Sequence, residues 1–102
     1  MRVIPLQPVP NQTVTVALAN QIAQINVYQK AYGVFLDLYV DNNLVVGGVI
    51  CQNMNRIVRD AYFGFAGDLA FYDNQGDADP VYTGIGTRWT LMYLETTDLG
   101  GN

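Results

Sequence analysis

Over most of this chain, hydrophobic and polar positions alternate with a period of two, the pattern of strands buried on one face. Val14, Val16 and Leu18 alternate with Thr13, Thr15 and Ala17. Asn20-Gln21 makes a turn, and Ala23, Ile25 and Val27 then alternate with Gln24, Asn26 and Tyr28. The clearest strand is 33–40, where Val34, Leu36, Leu38 and Val40 share one face and Phe35, Asp37 and Tyr39 the other. Asp41-Asn42-Asn43 supplies turn chemistry, and the run Leu44 to Cys51 completes a hairpin. Gly47-Gly48 within that run predicts a bulge or a close backbone approach. Residues 69–73 and 88–95 read as further strands, the latter with Trp89, Leu91 and Tyr93 on one side.

The intervening segments are less regular. Pro5, Pro8 and Pro10 fix φ and remove donors, so residues 1–12 form an extended arm or edge strand. In 52–67, Met54, Ile57 or Val58, and Ala61 fit a short helix over 54–63, but Arg56-Ile57-Val58-Arg59 reads equally as a strand. Residues 74–87 form a long turn-rich loop, of the kind that tends to carry function. The tail, 96–102, is polar, glycine-rich and expected to fray. Taken together, these elements predict one all-β domain over 1–102: a small barrel or sandwich of about six to seven short antiparallel strands with an extended N-terminal arm.

Composition narrows the chemistry. Half of the 102 residues are hydrophobic and 14% charged, with no histidine and one cysteine. A zinc site of His and Cys ligands is excluded, as is a Ser–His–Asp triad, the chain having no serine either. A lone cysteine makes no internal disulfide, and Cys51 reads as a buried structural thiol in a protein made in a reducing compartment. Five Lys plus Arg against nine Asp plus Glu give a net charge of −4. That balance provides no cationic footprint for nucleic acid or an anionic membrane. The most apolar run, Leu44 to Cys51, is far short of the ~20 residues of a membrane helix, and no signal-peptide pattern precedes it.

Three constellations have both a functional and a plain reading. Asp73, Gln75, Asp77 and Asp79 alternate as cation ligands do, but Ala78 and Gly84 stand where an EF-hand has glycine and glutamate, so a solvated turn is preferred. Gly84-Ile85-Gly86 lacks the third glycine and the βαβ setting of a dinucleotide fingerprint. Asp37, Asp60, Asp68 and Glu95 are the acids available to a glycosidase-like pair, yet surface acids are ordinarily just solvated. No enzymatic activity and no cofactor are expected. The aromatic excess, 12% of the chain, suits core edges and interfaces alike. Tyr62, Phe63 and Phe65 fall beside Arg56 and Arg59, and Tyr and Arg are typical interface hot spots. A ligand-binding barrel, for example one binding carbohydrate through Trp89 and tyrosines, is the alternative.

Specific stretches carry a resemblance. They include Asn55-Arg56-Ile57-Val58-Arg59-Asp60-Ala61-Tyr62, Gly64-Phe65, Gly67-Asp68-Leu69 and Phe71-Tyr72-Asp73. Gly76, Asp79-Pro80, Tyr82-Thr83-Gly84-Ile85-Gly86, Arg88 and Tyr93-Leu94-Glu95 continue it. Ile4-Pro5-Leu6 and Asn26-Val27-Tyr28-Gln29-Lys30 extend it to the N-terminal half. The chain resembles the cyanophage-type baseplate plug family of contractile-tailed phages and prophages. The resemblance implies a structural virion protein at the centre of the tail baseplate, made in the host cytoplasm. Its implied partners are hub, tail tube or spike proteins, with several copies in a symmetric assembly. It carries over no catalytic residues. The candidate contact residues are Ile4, Pro5, Pro8, Pro10, Arg56, Arg59, Tyr62, Phe63, Tyr82 and Trp89. Deleting residues 1–10 is expected to impair assembly more than folding.

Overall fold

The structure is a computed structural model and describes residues 2–18, 20–58 and 67–95. Among the described residues, seven strands form two antiparallel sheets: β1 (Arg2–Ile4), β2 (Asn11–Leu18), β3 (Gln21–Lys30), β4 (Gly33–Val40), β5 (Asn43–Ile50), β6 (Asp68–Asp73) and β7 (Trp89–Leu94). One sheet has the order β2-β3-β4-β5 and the other β1-β7-β6. The sheets keep free edges, so the architecture is a sandwich and not the closed barrel also expected.

The core follows from the alternation. Ala23, Ile25 and Val27 on β3 and Val34, Leu36, Leu38 and Val40 on β4 are buried from one side. Ile4, Leu69, Phe71, Trp89, Leu91 and Tyr93 are buried from the other, and all belong to one cluster. Asp41-Asn42 turns β4 into β5 with φ of 50° and 70°, the paired positive values of a type I′ hairpin turn. The predicted bulge is present. Leu36 pairs with Val49 and Leu38 with Val46, leaving an extra residue at Gly47-Gly48, and a second register shift follows before Tyr39–Leu44. Gly48 has φ +64°, which glycine adopts without the Cβ penalty.

Two boundaries differ from the sequence reading. Gln21, expected in the turn, already belongs to β3, and Asn20 before it has φ 63°. β2 begins at Asn11, inside the expected arm. The arm's first residues are an edge strand, with Arg2, Val3 and Ile4 paired to Tyr93, Met92 and Leu91. Residues 53–58 show no helix: Asn53 bridges Phe71 in parallel, Met54 N–H donates to Phe71 O and Ile57 N–H to Leu69 O. Residues 59–63 of the candidate helix and the tail 96–102 lie outside the described residues.

Candidate functional site

The loop joining β6 to β7 is organised from its first residue. Asp73 is buried, and its carboxylate accepts two hydrogen bonds from Arg88, Nε to Oδ1 and Nη2 to Oδ2, each 2.8 Å. Gln75 N–H and Ala78 N–H add bonds of 2.9 Å to the same two oxygens. Asp73 therefore serves as an internal anchor, not as the solvated turn acid expected. Asp79 Oδ1 accepts the Asn53 N–H at 3.0 Å, so these two acids point to different protein groups. The Arg88 guanidinium also covers the Trp89 ring, 4.6 Å from its centroid, while Trp89 Nε1 donates to Ala78 O at 3.0 Å.

Arg88 hydrogen bonding, the largest cause, holds the Asp73 carboxyl well below the usual carboxylate range against the opposing effect of desolvation. A group depressed in the folded state stabilises the fold above its unfolded value, ~3.9 for Asp. That contribution is lost as pH falls toward the lower folded value. Urea unfolding should show this directly. Asp73→Asn is expected to be less stable than wild type at pH 7, with the difference shrinking below about pH 4. A constant difference down to pH 2 would contradict the ion-pair account.

Glycines let the loop close on Trp89 and on the arm. A Cβ at Gly84 would run into the Trp89 ring, and one at Gly86, where φ is +90°, would lie 2.7 Å from Leu6 O. The arm and the 74–87 loop thus meet. Ile4, Pro5, Leu6, Gly86 and Trp89 line one groove of about 220 Å³. Among the sequence candidates, Ile4 and Trp89 are buried, and Pro5, Pro8 and Pro10 are exposed. Tyr82 is half-buried against the core, beginning a short 3₁₀ turn (Tyr82–Gly84). Arg56 is exposed, with Nε 3.9 Å from Asp68. Arg59, Tyr62 and Phe63 lie outside the described residues. Trp89, at 5% exposure and lidded by Arg88, presents no open ring for stacking on a sugar, which removes the motivation for that alternative.

Two of the carboxylates considered for hydrolysis, Asp68 and Asp37, are bound to protein groups. Asp68 is buried and its Oδ1 accepts N–H bonds from Ile57, Val58 and Leu69, pinning the 56–58 segment to β6. Asp37 lies on the outer face of the four-stranded sheet. It accepts bonds from Tyr28 Oη at 2.9 Å and Gly48 N–H at 2.7 Å, which ties the bulge to the neighbouring strand. Asp60 lies outside the described residues. Cys51 is buried, and that burial pushes its thiol pKa up to about 12, as suits an inert core residue.

One surface was missed by sequence reasoning. The outer face of the three-stranded sheet is apolar: Met54, Ala70, Tyr72, Met92 and Leu94 line a groove of about 360 Å³. Val3, paired to Met92, extends it. Met54 is 61% exposed, Val3 59% and Tyr72 40%. The signal was present in the second half of β7, where Met92 and Leu94 face out beside inward Leu91 and Tyr93, as in strands covered on two sides.

A family model described as cyanophage baseplate Pam3 plug gp18 matches residues 1–97. The chain belongs to the cyanophage baseplate plug family. The plug is a structural component of the tail baseplate, and the family is not one of enzymes. No curated protein matches the chain.

Proposed function

We propose that this plug protein acts through contacts alone, as a hub-associated component of the central baseplate, in several copies and without catalysis, nucleic acid or membrane. Its neighbours are hub, tail tube or spike proteins, and it reaches the virion after synthesis in the host cytoplasm. The observation that carries this reading is the apolar outer face of β1-β7-β6, which offers Val3, Met92 and Tyr72 to a neighbouring protein. A contiguous exposed apolar patch of this kind marks an interaction site. Family membership supplies the class of neighbour, another baseplate protein.

Pro5 lies beside β1 in the groove with Gly86 and Trp89, whereas Pro10 leads into β2, its carbonyl accepting the Gln29 N–H. The exposed prolines Pro5, Pro8 and Pro10, with Tyr82 and the 74–87 loop, form a second proposed contact region. Arg56, Arg59, Tyr62 and Phe63 are proposed as a further contact region. Ile4 and Trp89 act indirectly, by holding the arm and the loop in place. Removing residues 1–10 would take Ile4 and Leu6 out of the core and β1 off β7. Such a deletion would therefore act on folding as well as on assembly, and substitutions are the better test. Met92→Asp on the groove, and Pro8→Asp with Pro10→Asp on the arm, leave the inner face untouched. Each protein should fold by circular dichroism yet enter baseplates about tenfold less than wild type, a loss of ~1.4 kcal/mol. Normal incorporation of both would sink the proposed contact surfaces.

A further inference from the structure

The sandwich has four sheet edges, and three are managed. β1 is three residues long and is followed by Pro5. β6 is covered by the 53–57 segment through the Met54 and Ile57 N–H bonds. β5 is broken by its two register shifts. Short strands, coverage and bulges are the devices by which proteins blunt edges. Among the described residues, β2 is covered only at its end, where Arg2 Nη1 takes the Ala17 carbonyl. Its eight residues, NQTVTVAL, contain no charge, proline or glycine, and its register with β3 is unbroken from Asn11 to Leu18.

The hydrogen-bond phase of β2 shows which groups are free. Gln29 N–H donates to Pro10 O at 2.8 Å, and Pro10 faces Gln29 by continuation of the β2–β3 register. In an antiparallel ladder the bonded positions alternate, so Gln12, Val14, Val16 and Leu18 bond to β3. Asn11, Thr13, Thr15 and Ala17 then aim their N–H and C=O groups outward. An independent contact agrees: the Ala17 carbonyl is taken by the Arg2 side chain, Nη1 at 2.9 Å. All four outward residues are exposed, and Val14 and Val16 are only half-buried at the rim of the core.

From this geometry we infer that β2 is a strand-addition edge whose occupant is β2 of a second copy of this chain, paired antiparallel about a two-fold axis at Val14. A two-fold axis normal to the sheet keeps each face with its own kind. Thr13 pairs with Thr15 of the second copy, and Asn11 comes opposite Ala17, whose carbonyl Arg2 releases to complete that outer pair; every outward residue meets an outward residue. Val14 meets Val14 on the inner face and extends the apolar layer. Thr–Thr and β-branched cross-strand pairs are favourable, and no charge within β2 opposes the approach. The result is one continuous sheet across two copies, an isologous contact in which the same patch serves both partners.

Sedimentation of the full chain over a concentration series tests this. Wild type should form a reversible dimer. Thr15→Pro removes an outward N–H and no bond to β3, so it should fold with an unchanged far-ultraviolet spectrum and dimerise about tenfold more weakly or worse, each tenfold being ~1.4 kcal/mol. Thr15→Lys, which keeps the N–H but places a charge on the edge, should act in the same direction. Val14→Cys should give a covalent dimer on mild oxidation, and Val16→Cys should not. A wild-type chain that stays monomeric, or a dimer indifferent to Thr15→Pro, overturns the inference. If wild type is monomeric and Thr15→Pro instead loses entry into baseplates, the second copy is also overturned, and the edge belongs to a strand of another tail protein.

Discussion

Trp89→Ala should cost about 3–5 kcal/mol of unfolding free energy, the range for truncating a buried Trp or Phe to Ala. The ring is buried by Gly84 on one side, where no Cβ could fit, and by the Arg88 guanidinium on another. Its loss leaves a cavity that these neighbours fill poorly. It also takes the indole donor from Ala78 O, so the loop loses a tether to β7. Against a typical domain stability of about 5–15 kcal/mol, the variant should be partly unfolded at 37 °C. Urea denaturation followed by circular dichroism measures this, and a loss under about 1 kcal/mol would show that the ring does not organise the loop. The wild-type Trp89, the chain's single tryptophan, should in addition resist quenching by iodide. A Trp89→Ala protein that lost any binding property would therefore report a disordered loop before it reported a lost contact.

Phe71→Ala should be as damaging, again about 3–5 kcal/mol. Phe71 is fully buried and heads the largest of the fully buried side chains. It faces the core from β6 opposite Leu91. Its carbonyl receives the Met54 N–H, so a shift of β6 would also release the covering 53–57 segment. The adjacent Tyr72 provides the contrast, since it points to the outer face and lines the apolar groove. Tyr72→Ala should change the stability of the isolated chain by less than about 1 kcal/mol and act on association instead. Comparing the two proteins by denaturation and by baseplate incorporation separates core from contact. Equal destabilisation by both would contradict the assignment of the two faces.

The residues that made the fold legible are those whose period is set by burial. Val34, Leu36, Leu38 and Val40 had to face one way because one side of the sheet is the core, and Asp41-Asn42 and Gly47-Gly48 marked a turn and a bulge by backbone chemistry that few other residues tolerate. The edge strand in the arm was legible from its prolines as one of two readings, but its bounds and its partner were not, because three residues cannot display a period and their pairing depends on β7, near the other end of the chain. The Asp73–Arg88 pair was hidden for a related reason. Asp73 reads as a loop acid until the register of β6 against β7, which pairs Asp73 with Trp89, brings Arg88 beside it. The apolar groove was legible in principle, since Met92 and Leu94 alternate with inward Leu91 and Tyr93. Thr90 interrupts the apolar run on the outer side, so only the end of β7 carried the signal. Half of the chain is hydrophobic, and the share outside the core includes Val3, Met54, Tyr72, Met92 and Leu94.

The central claim is that this chain is a structural plug held by protein contacts at the middle of a tail baseplate. Cryo-electron microscopy of purified, intact tails tests it most directly. The account predicts density for this sandwich on the tail axis at the baseplate, with the outer face of β1-β7-β6 buried against a neighbouring tail protein. Intact, infectious tails that lack the chain, or that hold it with that face open to solvent, would contradict it.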